Sequence, residues 1–324
     1  MRALVTGAGG FLGGVLVARL RERGDTVRAI VRNESSVGGL RGIGCETLVI
    51  DIAEPRLLAP AVDGCDAVFH VAGAYEIGMG NRGRESMFRS NVEATRAVLE
   101  ATASAGIPRT VYVSSIGVFG NTHGQVVDES YRRDPADGYL SYYDETKHVA
   151  HLAAEEQQAA GRPVIIVQPG QIYGPGDHSA VGRQLAEAHA GRLRMLALAG
   201  VGLNFGYVDD IARGLVLAHD RGKPGEAYVV GGEIIRLRDA LAIAARLGGR
   251  RLPRLAIPTV LLRALAPLGP RLGRRLGLPS DMREVIRAAD GVTYWASDAK
   301  ARRELGYTSR DLETGLRATF ASQG

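Results

Sequence analysis

An apolar strand that breaks on glycines and resumes at helical spacing leaves a chain few folds to choose from. This one opens with Arg2-Ala3-Leu4-Val5-Thr6-Gly7-Ala8-Gly9-Gly10-Phe11-Leu12-Gly13. The strand is short and apolar enough for burial on both faces, as a central parallel strand must be. After the glycines, Leu12, Val15, Leu16 and Leu20 recur at helical spacing until Gly24, a helix stop. Gly7, Gly10 and Gly13 then divide the work into a tight turn, close approach of backbone to a pyrophosphate, and close packing of helix on sheet. Amide groups at the helix start, at Phe11 and Leu12, would face the phosphates. The spacing is G-x-x-G-x-x-G and not G-x-G-x-x-G, so position carries the inference. A strand precedes, an amphipathic helix follows, and a second apolar run, Thr26 to Val31, arrives one unit later.

The 324 residues suffice for one large domain or two coupled ones, and 45% hydrophobic composition builds a full core. No charged-then-apolar leader precedes the first strand, and no apolar run approaches the ~20 residues of a membrane span. Cys45 and Cys65 fit no metal-ligand spacing, so packed, reduced thiols, no metal and a cytoplasmic location are expected. A net charge of +5, dispersed along the chain, gives no case for nucleic acid.

Strands alternate with helical patterns through the first half, which predicts an α/β parallel sheet covered on both faces. Strands are expected at Thr47 to Ile50, Ala67 to Ala72, Thr110 to Ser114 and Val164 to Val167, with long helices over Met87 to Ala105 and Leu140 to Ala160. Beyond Tyr173 the pattern loosens, with helices near 180–190, 210–219, 236–247 and 310–320. Residues 1–172, rejoined by segments near 206–230, are expected to form the dinucleotide-binding domain. Residues 173–205 and 231–324 would form a smaller lobe over the C-terminal ends of the strands, where such sheets bind ligands.

An acidic residue about 20 residues past the glycine loop would select NAD through the ribose 2′-hydroxyl. Here stands Arg32, whose guanidinium suits a 2′-phosphate, so NADP(H) is favoured; NAD(H) stays open, with Arg32 solvated and Glu34 in the acidic role. Asp51, closing the third strand, can accept from an adenine amino group while Ile52 packs on the ring; it is equally a good turn residue. Ala72, Gly73 and Ala74 are small enough to let backbone run against a flat cofactor. His70, with no partner nearby in sequence, is expected to be a packed strand histidine.

The sharpest signal for chemistry is Tyr143-Asp144-Glu145-Thr146-Lys147. Spacing i, i+4 puts phenol and ammonium on one helix face, and Lys147 is one of only three lysines, with Lys223 and Lys300. Tyrosine titrates near 10, so proton exchange at neutral pH asks for a drop of about 3 units, roughly 4 kcal/mol. A cation ~4 Å away at an effective dielectric of ~20 supplies about that much. Ser115 can hold a carbonyl oxygen while Tyr143 gives or takes the proton. Tyr142, at i, i+5 from Lys147, is off the face.

With these residues assembled, the chain resembles an extended short-chain dehydrogenase/reductase of the NAD-dependent epimerase/dehydratase family. Within it the chain is similar to the dihydroflavonol-reductase-like branch, whose bacterial members include hopanoid-associated sugar epimerases. The resemblance runs through Thr6 to Gly13, Asp51-Ile52, His70 to Gly73, Asn91 to Thr95, Val113-Ser114-Ser115, Tyr143 with Lys147, Tyr173 to Asp177 and Gly206 to Asp210. It implies a Rossmann-type doubly wound parallel sheet with a smaller C-terminal substrate-binding lobe. It also implies Tyr143 as acid/base, Lys147 activating it and holding the nicotinamide ribose, and Ser115 positioning the reacting oxygen. Asn91 and the backbone around Pro169, Gly170 and Ile172 would lie near the nicotinamide. Ala94 replaces a glycine usual after the Asn-Val pair. Leu203-Asn204 stands where sugar-nucleotide members carry Arg-Asp, whose arginine binds diphosphate.

The expected function is therefore an NADP(H)-dependent oxidoreductase whose small-molecule substrate is a moderately apolar ketone, aldehyde or secondary alcohol. The alternatives are a sugar or sugar-nucleotide epimerase or dehydratase with tightly bound cofactor, and a non-catalytic dinucleotide sensor. The two long helices pair into a homodimer interface in many relatives, while other reductases of the branch are monomers. Residues 250–278 alternate arginines with Leu255, Ile257, Val260, Leu261, Leu262, Leu265 and Leu268. They are expected either to pack as part of the second lobe or to make peripheral contact with anionic membrane.

Overall fold

The computed structural model describes residues 1–268 and 279–322. Seven strands form one wholly parallel sheet. These are β1 (Arg2–Thr6), β2 (Thr26–Val31), β3 (Glu46–Val49), β4 (Ala67–His70), β5 (Thr110–Val113), β6 (Val164–Pro169) and, after two strands that lie elsewhere, β9 (Ala227–Val230). Their order is β3-β2-β1-β4-β5-β6-β9, reversing between β1 and β4, and at that switch point the C-terminal strand ends open a crevice. β1, β4, β5 and β6 are buried almost throughout because helices cover both faces. On one side Phe11–Glu22 and Val208–Arg221 pack Leu16, Leu20, Ile211 and Leu215 onto the sheet. On the other, Pro55–Val62, Ala94–Ser104 and Tyr142–Ala159 supply Leu58, Val98, Leu99 and Ala150.

A second sheet was not foreseen. β7 (Gln171–Tyr173), β8 (Gly202–Tyr207) and β10 (Glu233–Arg236) pair in the order β10-β8-β7. Leu237–Leu247 and Leu312–Ala321 close its core of Tyr173, Phe205, Tyr207, Leu241 and Leu316. Arg310 fastens this part to the main sheet's helix: its guanidinium donates twice to Asp210, at 2.9 Å each, and lies 4.0 Å from the Tyr207 ring.

Element ends differ from expectation for local reasons. The fourth strand stops at His70, not Ala72, because the Ala72 N–H turns to the Thr6 hydroxyl at 3.2 Å instead of extending the ladder. The last long helix starts at Tyr142 because Ser141 caps it, accepting from the Asp144 N–H at 3.1 Å. The expected helix from Met87 begins at Asn81 and contains a π-turn over Arg89–Glu93. Over the arginine-rich stretch, Leu255, Val260, Leu261 and Leu265 are exposed, Val260 by 74%, whereas Ala266 is buried and Leu252 packs on the core of the second sheet, so its described residues pack only in part. Residues 269–278 of that stretch lie outside the described residues. Among the described residues no helix is long and apolar enough to cross a membrane.

Candidate active site

The glycine loop has the geometry its sequence asks for. Gly7 takes a left-handed φ of +69°, and a Cβ there would sit 2.7 Å from Ala72 Cα. A Cβ on Gly13 would sit 2.1 Å from the Gly7 carbonyl oxygen, so only glycine lets the helix start this close to the loop. A Cβ on Gly10 would meet nothing within 4 Å except that same oxygen, at 3.2 Å. The loop surface there is open, and the N–H groups of Phe11 and Leu12 begin the helix beside it. Such a cradle fits a dinucleotide pyrophosphate.

Across the switch point, hydrogen bonds fix β1 against β4. The Thr6 hydroxyl meets His70 Nδ1 at 2.8 Å, and His70 Nε2 meets the Thr95 hydroxyl at 2.9 Å. Thr95 gives its own proton to the Asn91 carbonyl, which leaves His70 Nε2 as donor and Nδ1 as acceptor. Burial, with the nearby Lys147 charge, pushes His70 down to about 3. It is a neutral strut, as expected. Asn91 lies within the π-turn and spends its whole amide: Oδ1 accepts from the Ala74 N–H at 2.7 Å, while Nδ2 donates to the Ala74 carbonyl and to Thr146. It thereby ties the Ala72-Gly73-Ala74 backbone to the Tyr142–Ala159 helix. Pro169 ends β6, and Gly170 packs so closely on β8 that a Cβ would lie 2.3 Å from the Asn204 carbonyl oxygen. Ile172 follows in β7.

At the end of β5 the three chemistry-bearing residues converge. Lys147 is buried and donates to the Val113 carbonyl at 2.9 Å. Ser115 accepts from the Gly117 N–H at 3.0 Å and stands beside the Tyr143 hydroxyl. The Tyr143 ring meets Tyr75 edge-on, with centroids 4.7 Å apart. In the protein alone the expected fall in the Tyr143 phenol is not seen. Burial first, then Tyr75, holds it above the ordinary range, against a smaller opposing effect of Ser115. Burial likewise lowers Lys147 to about 8. Tyr142 turns away, with the Arg84 guanidinium 5.1 Å from its ring centroid.

At the far end, exposed Arg32 donates to the Ser90 hydroxyl at 3.0 Å. Asp51 commits its oxygens elsewhere: Oδ1 accepts from the Ala53 N–H at 3.0 Å and Oδ2 from Arg89 at 2.9 Å. These contacts hold it below the usual carboxylate range and favour the turn role over the adenine one. Ile52 is half-buried and packs against the core beneath.

Three side chains in the cleft went unmarked in the sequence: Tyr75, Asp144 and Tyr294. Tyr75 is half exposed beside Tyr143. Asp144, though inside the Tyr143 to Lys147 segment, carries no pattern of its own. Tyr294 arrives from 150 residues away to donate to Asp144.

A parallel sheet with its crevice at the switch point, a glycine cradle and a Tyr–Lys helix beside a serine define an NAD(P)-dependent enzyme of the extended short-chain dehydrogenase/reductase type. The chain belongs to the NAD dependent epimerase/dehydratase family, whose profile matches residues 3–231. Its relatives include a Synechocystis sp. protein named after dihydroflavonol 4-reductase, 34% identical over 96% of this chain and 91% of its own. Sterol demethylase protein B of Methylococcus capsulatus is 33% identical over 99% and 96%, and the 2-alkyl-3-oxoalkanoate reductase of Stenotrophomonas maltophilia 32% over 99% and 99%. The solved structure of MoeE5 in complex with UDP-glucuronic acid and NAD superposes with a TM-score of 0.78 at 25% identity, covering 100% of this chain and 99% of that one.

Proposed function

We propose that the protein interconverts a ketone and a secondary alcohol with NADP(H), on a substrate more apolar than a nucleotide sugar. The convergence of Tyr143, Ser115 and Lys147 at the end of β5 carries this proposal. The Gly7–Gly13 loop would hold the pyrophosphate and Lys147 the nicotinamide ribose, and the bound dinucleotide would supply or take up the hydride at the carbonyl carbon. Ser115 holds the carbonyl oxygen by a hydrogen bond, and Tyr143 gives that oxygen its proton in reduction or removes it in oxidation. The Lys147 ammonium stabilises the phenolate left behind.

Two observations support an apolar substrate. Leu203 is buried, and Asn204 turns inward to donate to the Ala296 carbonyl at 2.6 Å and accept from the Gly232 N–H at 2.7 Å, so neither reaches toward a diphosphate. Tyr75 offers the cleft an aromatic face. The names of the sterol and oxoalkanoate relatives point the same way. Arg32, exposed just past β2 and, among the described residues, bonded only to the neutral Ser90 hydroxyl, supports the 2′-phosphate and hence NADP(H).

The test is a pair of variants. Tyr143→Phe should abolish NADPH-dependent reduction of aryl and alicyclic ketones while NADPH still binds, and Arg32→Glu should weaken NADPH at least tenfold more than NADH. Full activity in the first, or equal NADPH and NADH affinities in the unaltered protein, would overturn the corresponding part.

A further inference from the structure

Around the short helix Thr259–Leu265 the protein turns apolar side chains out to water. Of the twelve large apolar side chains exposed among the described residues, five gather there: Met195, Leu255, Val260, Leu261 and Leu265, between 42 and 74% exposed. Leu261 and Leu265 stand one helical turn apart with Val260 beside them, while Ala266 turns inward. A bridge between Leu196 and Ala256 brings Met195 alongside Leu255.

This platform is held from both sides. The Leu196 N–H donates to the Leu255 carbonyl at 2.9 Å, and the Ile257 N–H to the Leu196 carbonyl at 2.8 Å. Asp290, which ends the Met282–Ala289 helix, accepts from the Thr259 hydroxyl at 3.1 Å and from Arg263 at 2.7 Å. The leucines are therefore fixed facing solvent, and a patch of that kind marks an interaction surface.

The charge around it has one sign. From position 240 to 280 the sequence holds eight arginines and no acidic residue. Beside the helix opens a cavity of 520 Å³, its floor formed by buried Ile286 and Val292 and its rim by Arg263, Arg283 and Arg287. Asp290 pairs with Arg263. Arg287 donates to a neutral group, the Leu140 carbonyl, at 2.9 Å, and among the described residues no carboxylate is bonded to Arg283 or to the exposed Arg254.

These features choose the partner. Protein interfaces anchor on Trp and Tyr, with Leu and Val under-represented, and this patch is aliphatic throughout. A second copy laid on the same face would set arginine against arginine. An anionic bilayer satisfies both halves, since hydrocarbon takes the leucines and phosphates pair with the guanidinium groups. We propose that this face docks the protein on membranes rich in anionic lipid: Leu255, Val260, Leu261 and Leu265 enter the boundary between headgroups and acyl chains, and Arg254, Arg283 and Arg287 bind headgroup phosphates. The Met282–Ala289 helix, which carries Arg283 and Arg287, also accepts the Tyr142 N–H on Glu284 at 2.7 Å, so docking sets the helix bearing Tyr143 one element away from the lipid. Docking requires nothing of the chemistry at Tyr143.

The experiment is co-sedimentation of the whole protein with vesicles of equimolar phosphatidylglycerol and phosphatidylcholine, and with vesicles of phosphatidylcholine alone. At low salt the protein should bind the first at least about tenfold more tightly than the second, and high salt should weaken that binding. Val260→Ser/Leu261→Ser/Leu265→Ser should lower affinity for the anionic vesicles at least about tenfold without lowering Tm, because the three side chains are exposed. Arg254→Gln/Arg283→Gln should lower it roughly 25-fold, at about fivefold for each charge. Arg56→Gln/Arg303→Gln removes as much charge from exposed positions outside this face and should change it by less than about twofold. Absence of binding to anionic vesicles at low salt overturns the proposal, as does undiminished binding by the serine variant. A control pair weakened as much as Arg254→Gln/Arg283→Gln overturns it too, since net charge alone then accounts for binding. A dimer in sedimentation velocity that the serine variant dissolves puts a second copy on the patch and likewise overturns it. Should the serine variant melt lower, the arginine pair against its control decides.

Discussion

Lys147→Met should make the protein more stable and inactive at once. Lys147 is 6% exposed, its ammonium bonded to one neutral group, the Val113 carbonyl, and lying 5.2 Å from the Tyr112 ring centroid. Burial lowers it from 10.5 to about 8, and at 1.36 kcal/mol per unit the folded protein carries a cost of about 3 kcal/mol for holding this charge at neutral pH. Methionine has nearly the same length and no charge, but it leaves the Val113 carbonyl without its donor, a loss of about 1 kcal/mol. The net gain is about 2 kcal/mol, and a chain of this size melts with an entropy near 0.7 kcal/mol per degree, so Tm should rise by about 3 °C. The sign of the pH dependence is definite. The folded protein binds this proton less tightly than the unfolded chain, so the cost is present in full below about pH 8 and fades as pH rises toward 10.5. Thermal melts of both proteins without dinucleotide, at pH 7 and at pH 10, should show the advantage shrinking to under about 1 kcal/mol at the higher pH. A variant that melts no higher at pH 7, or one with the same advantage at both, would refute the assignment of a buried, unpaired ammonium.

Arg310→Met should lower stability by about 2–3 kcal/mol in urea unfolding, since it removes two charged hydrogen bonds to the buried Asp210 carboxylate and leaves it the Arg310 N–H and Arg213 at 3.8 Å; a loss under about 0.5 kcal/mol would mean that Arg213 takes over the pairing. Gly13→Ala puts a methyl 2.1 Å from the Gly7 carbonyl oxygen, so dinucleotide affinity should drop at least tenfold while unfolding free energy falls by about 1–3 kcal/mol; unchanged affinity would show that the loop does not cradle the pyrophosphate.

What could be read from residues alone was whatever depends on neighbours a few positions apart. The strand, glycine loop and first helix follow from local periodicity and from positions that only glycine fits: Gly7 takes a left-handed φ of +69°, and a Cβ on Gly13 would sit 2.1 Å from the Gly7 carbonyl oxygen. Tyr143 and Lys147 share a helix face because four residues make one turn, whatever the rest of the chain does. The small second sheet escaped notice because β7 and β10 are three and four residues long, too short for a period to register.

Tertiary structure decided everything set by distance through space. The 3.4 Å contact of Asp144 with Tyr294 spans 150 positions, and the Arg310–Asp210 pair spans 100. Asp51 looked free to meet an adenine until Arg89 folded against it. Above all, the i, i+4 spacing foretold that phenol and ammonium would be neighbours but not their proton affinities. Those depend on how much water surrounds each group, and that is a property of the packed cleft: burial raises Tyr143 and lowers Lys147, where spacing alone would have had the lysine pull the phenol down.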